Sequence, residues 1–258
     1  MDLIELEARA ARAWPALFSE RVDGWLLRRT PQVGRRRSNS ALPLGRNGAS
    51  VETVERFYRG HGMTPLVHVA PVEELRALDA ALEERGWVAD GVTDILVGRE
   101  LPPGAPADVQ VAVRAGVGPA WVDAWVDAEG RPDAHETAER VLARIPAPVG
   151  FALARIDGAP AGVGIAVCDS GWSGVLCMAT VPAMRRRGVA RAVIGALWEW
   201  SREHGATAMY LQVKLDNAAA RALYASLGFT RSHGYHFRAA PRFSAGGETR
   251  AAAGARRS

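Results

Sequence analysis

The chain has 258 residues, of which 48% are hydrophobic and 23% charged, with a formal net charge of +4. That length supports a full core in one large or two small domains, and the composition is that of an ordinary globular chain, not a disordered or membrane-embedded one. The excess of base is carried by arginine, with Lys214 the only lysine, and its spread along the chain argues against a dedicated nucleic-acid surface. Residues 3–13 have helical periodicity and end at Trp14-Pro15. Residues 24–30 and 38–44 read as a strand pair joined by a turn with Gly34 and the run Arg35-Arg36-Arg37. Ser50 caps a helix at 51–59, and then come a strand at 66–70, a helix at 72–85 with Leu75, Leu78 and Leu82 on its buried face, and a strand at 92–97.

Asp2, Glu5 and Glu7 stand where a signal peptide needs positive charge, and no apolar run approaches the roughly 20 residues that cross a bilayer. Cys168 and Cys177 fall inside expected strands without zinc-type spacing. A cytoplasmic chain with buried thiols and no metal is the expectation.

Pro102, Pro103, Gly104 and Pro106 mark 101–108 as a linker. The expected layout is therefore an N-terminal domain over 1–100, a second domain over 109–240 and a disordered tail over 241–258. The second domain opens with a strand at 109–113 and helices at 119–128 and 135–144, the first with Trp121 and Trp125 one turn apart as a core face. Strands at 151–156, 161–167 and 175–181 follow, linked by Asp157-Gly158 and Asp169-Ser170-Gly171.

The strand at 175–181 runs through Pro182 into Arg185-Arg186-Arg187-Gly188-Val189-Ala190, after which Val189, Val193, Leu197 and Trp200 recur at helical spacing up to Gly205. A helix start leaves N–H groups unpaired at the positive end of the macrodipole, so a basic turn with small residues at 188 and 190 can cradle phosphate. A strand at 209–213 should lie parallel to 175–181 through a right-handed crossover, giving a mixed sheet. Asp216-Asn217 then caps a helix at 218–227 on which Asn217 and Tyr224, seven apart, share a face, and a last strand runs through 235–238.

Arg185-x-x-Gly188-x-Ala190 between a strand and a helix resembles the acyl-CoA pyrophosphate loop of the GNAT superfamily of N-acetyltransferases. The string Asn217-x-x-Ala220-x-x-x-Tyr224-x-x-x-Gly228-Phe229 resembles that superfamily's second signature, in the family's order and spacing. The resemblance implies an α/β mixed-sheet fold of GNAT type in the C-terminal half. Acetyl-CoA would be a co-substrate, its diphosphate on Arg185, Arg186, Arg187, Gly188, Val189 and Ala190, with Asn217 near the pantetheine arm or the pyrophosphate. It further implies main-chain N–H groups at Met178, Ala179, Thr180 and Val181 stabilising the thioester oxygen, and Tyr224 as proton donor to the departing thiolate when a primary amine attacks directly in a ternary complex. A non-catalytic acyl-CoA sensor is the alternative.

The N-terminal half repeats the order strand, helix, strand, helix, strand. Aligning Gly86 with Gly228 puts Leu82 opposite Tyr224 and Leu75 opposite Asn217, while Gly45-Arg46-Asn47-Gly48 lacks the phosphate-loop pattern. A degenerate GNAT-like unit without chemistry is therefore expected there. The string from Arg37 to Leu44 resembles a feature of bacterial GNAT proteins with such an extension and suggests no chemical role. Glu136, His135 and Asp169 border the expected acceptor side but read as surface residues, and His233 and His236 read as structural. The acceptor and the oligomeric state are not legible.

Overall fold

The computed structural model describes residues 2–45, 50–100 and 106–241. Helix α1 (Leu3–Ala13) starts where Asp2 accepts the Ile4 N–H at 3.0 Å, an N-cap of the usual kind. Strands β1 (Phe18–Val22), β2 (Trp25–Arg29) and β3 (Ala41–Pro43) follow, then α2 (Val51–Gly60), β4 (Leu66–Val69), α3 (Glu73–Glu84) and β5 (Val88–Gly98). Of these, β1 escapes sequence reading because it is a solvated edge strand without an apolar face. The second half contributes β6 (Gln110–Arg114), α4 (Pro119–Glu129), α5 (Ala134–Val141), β7 (Val149–Ile156), β8 (Ala159–Asp169) and β9 (Trp172–Thr180). It ends with α6 (Val189–Glu203), β10 (Ala208–Lys214), α7 (Ala218–Ser226) and β11 (Thr230–Ala239). No helix among the described residues is long and apolar enough to cross a membrane.

All eleven strands form one mixed sheet in the order β1-β2-β3-β4-β11-β5-β10-β9-β8-β7-β6. The last strand of each half is exchanged: β11 pairs with β4 of the N-terminal half, and β5 pairs with β10 of the C-terminal half. The exchanged strands pair with each other, antiparallel, at the centre. Both helices that lead into them end alike, with Trp87 N–H donating to Leu82 C=O and Phe229 N–H to Tyr224 C=O, each at 3.0 Å, around Gly86 and Gly228 at φ 77° and 81°. The N-terminal half thus repeats the helix ending and the exchanged final strand of the C-terminal half. Of the expected linker, 101–105 lie outside the described residues, as do 46–49 of the first turn and the tail from 242. The sheet itself runs unbroken across the linker.

Alternation along the C-terminal strands feeds two cores. Met209, Leu211 and Val213 pack with α6 and α7, whereas Val163, Ile165 and Val167 pack with α4 and with Trp14. The α6 face read from the sequence lies directly on β8. A Cβ at Gly162 would sit 2.6 Å from Val189 Cγ1, and one at Gly164 would sit 2.8 Å from Val193 Cγ1 and 3.0 Å from Leu197 Cδ1. Absent side chains on β8 let the helix lie close to the sheet, and this fixes where its N-terminus points.

Candidate active site

As expected, β9 and β10 are parallel, but their pairing stops at Leu211↔Val175. The reason lies on the other edge of β9. Between the pairs Val163↔Ala179 and Ile165↔Leu176, two residues, Cys177 and Met178, oppose the single Gly164. This is a β-bulge, with Cys177 at φ 51°, and it bends β9 away from β10. Residues 177–180 are only half-buried beside the resulting opening. Val181 donates its N–H to Ala161 C=O at 3.0 Å. That amide faces β8, a correction to the sequence reading, and by strand alternation the Ala179 amide faces the same way. Thr180, between these two, turns its amide the other way by the same alternation, and Met178 sits in the bulge itself.

Beyond β9 a single 3-10 turn, Pro182–Met184, leads to the basic turn. Arg186 at φ 65° and Gly188 at φ 76° both take the left-handed conformation, and Gly188 is the N-cap of α6. The first helical bond of α6 runs from Ala192 N–H to Gly188 C=O, so the main-chain N–H groups from Arg186 to Arg191 have no main-chain acceptor among the described residues. Arg185, Arg186 and Arg187 are exposed. This is an exposed nest of donors at a helix N-terminus flanked by guanidinium groups, a ready anion site. The chain between the halves passes beside it: Asp108 pairs with Arg187 at 3.1 Å, and a Cβ at Gly188 would collide with the Pro106 ring.

Asn217 caps α7 by accepting the Ala220 N–H at 3.1 Å, and its amide NH2 has no hydrogen-bond partner among the described residues. Tyr224 is 7% exposed and packs edge-on to Phe229 with ring centres 5.8 Å apart. It shares its core with Leu211 and Val213 of β10 and with Met178 and Met184 at the end of β9, so strand end, turn and α7 meet in one cluster. Burial pushes its phenol up to about 12.

The other residues named from the sequence separate cleanly. Asp169 ends β8, beside the start of β9 and far from its bulged end, and pairs with Arg9 at 3.1 Å and Arg12 at 2.8 Å. Glu136 pairs with Arg140 at 2.8 Å and His135 is exposed. His233 bonds the buried Glu7 at 2.8 Å and His236 bonds Asp79 at 2.9 Å, both structural as read. Each arginine of the run 35–37 has a partner from a distant part of the chain. Arg35 pairs with Glu129 at 3.1 Å, Arg36 with Asp90, and Arg37 donates to Gln212 Oε1 at 2.6 Å. Glu129 and Gln212 carry no motif and were missed, since only the fold brings them to the arginines.

A family model described as "Probable histone acetyltransferase Rv0428c C-terminal" matches residues 2–238. The chain is similar to an uncharacterized N-acetyltransferase, YobR, of Bacillus subtilis, 25% identical over 243 residues that make up 92% of this chain and 98% of that one. Among solved structures it resembles a GCN5-related N-acetyltransferase from Kribbella flavida, with TM-score 0.70, 19% identity and coverage of 94% and 96% of the two chains. A tandem GNAT protein from the clavulanic acid biosynthesis pathway shares the fold at TM-score 0.55 and 15% identity, over 72% of this chain and 67% of that one. A match to nearly the whole length, on a fold with the splayed parallel pair and basic helix start described above, assigns the chain to the Rv0428c C-terminal acetyltransferase family, a family of GNAT-type N-acetyltransferases.

Proposed function

We propose that this protein transfers an acetyl group from acetyl-CoA to a primary amine by direct attack within a ternary complex. One observation carries the reading: a run of unpaired N–H groups at the start of α6 lies directly beyond the bulged strand end where β9 parts from β10. In this arrangement the diphosphate binds Arg186 to Ala190 and the flanking guanidinium groups, Asn217 meets the pantetheine arm with its amide NH2, and the thioester lies in the opening. The neutral amine's lone pair attacks the thioester carbon, the C–S bond breaks, and the proton shed by the nitrogen passes through water to the departing sulfur, so that the amide and the free thiol of CoA are the products. The N–H groups of Met178 and Thr180 hold the carbonyl oxygen as charge develops on it.

Tyr224 hydrogen-bonds the departing sulfur. With its phenol near 12, well above the roughly 8.5 of an ordinary thiol, complete transfer of its proton to the thiolate is uphill, so the contribution is donation of a hydrogen bond. Under this reading the protein works in the cytoplasm, with acetyl-CoA and an amine as its partners. The matching family model's description names a histone acetyltransferase, which makes a lysine side chain one acceptor class to test. The test is calorimetric titration with acetyl-CoA together with thiol release against a panel of amines. We expect binding that weakens about tenfold in Arg185→Glu, whose side chain is exposed and whose replacement leaves the core untouched. Equal acetyl-CoA affinity in that variant would remove the phosphate-loop assignment, and binding without turnover of any amine would favour a sensor.

A further inference from the structure

The face of the opening away from α6 and α7 carries a polar cluster that the reaction above leaves unused. Arg35 is drawn in by Glu129 at 3.1 Å and by Thr137 Oγ1 at 3.3 Å, and its guanidinium lies 5.1 Å from the ring centre of Trp125. Arg37 lies 5.6 Å from the ring centre of Trp14 and donates to Gln212 Oε1, which also accepts the Tyr235 hydroxyl at 3.1 Å. Gln212 is the first β10 residue past the last β9 pairing, and Cys177 and Ala179 of the bulged strand pack in the same core as Trp14 and Trp125. The cluster therefore borders the place where a thioester would react.

The segment that delivers the arginines is cross-braced by hydrogen bonds. Asn39 accepts the Thr30 N–H at 2.7 Å and donates to Val33 C=O at 2.6 Å and to Arg35 C=O at 3.1 Å, while Ser38 accepts the Trp14 Nε1–H at 2.9 Å. This gives the Arg37-Ser38-Asn39 string a task that its sequence did not reveal.

The cluster has more donors than acceptors. Arg35 Nη2 and Trp125 Nε1 are buried with no partner, and no carboxylate pairs with Arg37 among the described residues. Buried donors without acceptors are costly, so a site that holds two of them favours a ligand that supplies the acceptors. Two guanidinium groups against one carboxylate leave a net charge of +1, which matches a single carboxylate, undercompensates a phosphate dianion and repels a polycation.

Building on the proposed acetyl transfer, we propose that the acceptor amine carries a carboxylate held by Arg37 and Arg35, so that amino acids or acidic amines are preferred over lysine-rich peptides. The test compares kcat/KM for matched pairs, phenylalanine against phenethylamine and lysine against cadaverine, with a basic lysine peptide as a third class. The carboxylate-bearing member of each pair should be favoured by about tenfold or more. In Arg37→Gln and Arg35→Gln the preference should collapse through KM, with acetyl-CoA affinity unchanged by calorimetry, and Arg37→Lys should keep part of it. If Arg35→Gln fails to fold, the matched pairs in wild type and Arg37→Gln decide. Equal or better use of the decarboxylated amines or the basic peptide, a preference that persists in Arg37→Gln, or acetyl-CoA binding with no carboxylate-bearing amine acetylated, each overturns the proposal. Absence of acetyl-CoA binding in wild type would instead overturn the acetyl-transfer reading on which it rests.

Discussion

Tyr224 and Cys177 flank the opening from the two faces of the sheet, and burial pushes both up to about 12. For the phenol this means that it stays protonated throughout the working range. Tyr224→Phe should therefore lower kcat by about 10- to 100-fold with little change in acetyl-CoA affinity, and the wild-type rate should show no falling limb from the phenol below about pH 11. Steady-state thiol release across pH checks both. For the thiol it means that almost none is thiolate at neutral pH, so Cys177 is a poor acyl acceptor despite its position. Cys177→Ala should retain turnover, and intact-protein mass spectrometry under acetyl-CoA should show no acetyl-enzyme. Asn217 and Tyr224 were legible in the sequence because seven residues on one helix return to one face. Arg35 with Glu129, and Arg37 with Gln212, were not: these pairs meet across 94 and 175 residues, and no local period links them.

At the scale of elements, the seat of α6 on β8 decides whether the phosphate-binding turn faces the opening. Gly164 is where this is tightest, since an added Cβ would meet Met178 Sδ at 2.6 Å as well as Val193 and Leu197. Gly164→Ala should destabilise by about 1–3 kcal/mol in urea unfolding, and it should weaken acetyl-CoA binding as α6 lifts from the sheet. On the other face, α1 is tied to the sheet by Glu7, which is 2% exposed, through His233 at 2.8 Å and His68 at 3.2 Å. Burial alone would raise the Glu7 carboxyl, but the hydrogen bond with His233 and the ion-pair contact with His68 outweigh it and hold the carboxyl at about 2. His68 is pushed below its usual value by burial, against the pull of Glu7. Both groups bind protons less readily in the folded state than in the unfolded chain. Stability is thus complete above about pH 6.5 and falls as the pH drops toward 2. Tm measured between pH 7 and pH 3 should decline steeply in wild type, and Glu7→Gln should start lower and decline less below pH 4.5. Helix and strand positions were readable because apolar spacing sets them, whereas the bulge at Cys177, which opens the site, depends on a count of residues against a partner strand that no single stretch encodes.

For the molecule as a whole, the exchange of β5 and β11 makes the two halves depend on each other. A boundary at 101–108 is visible as composition, yet β11 fills the centre of the sheet between β4 and β5. We propose that the halves form one folding unit. Unfolding should be a single cooperative transition with coincident fluorescence and circular dichroism curves, and a chain ending after Phe229 should lose both halves together because β4 and β5 would each present a bare edge. Two separate transitions would contradict this. The exchange also bears on synthesis. When β5 leaves the ribosome, its β11 neighbour has not yet been translated, and at ordinary elongation rates the wait is on the order of ten seconds. A nascent polypeptide with an unfilled slot in its main sheet is a natural client for chaperones, and slow codons late in the message would lengthen its exposure.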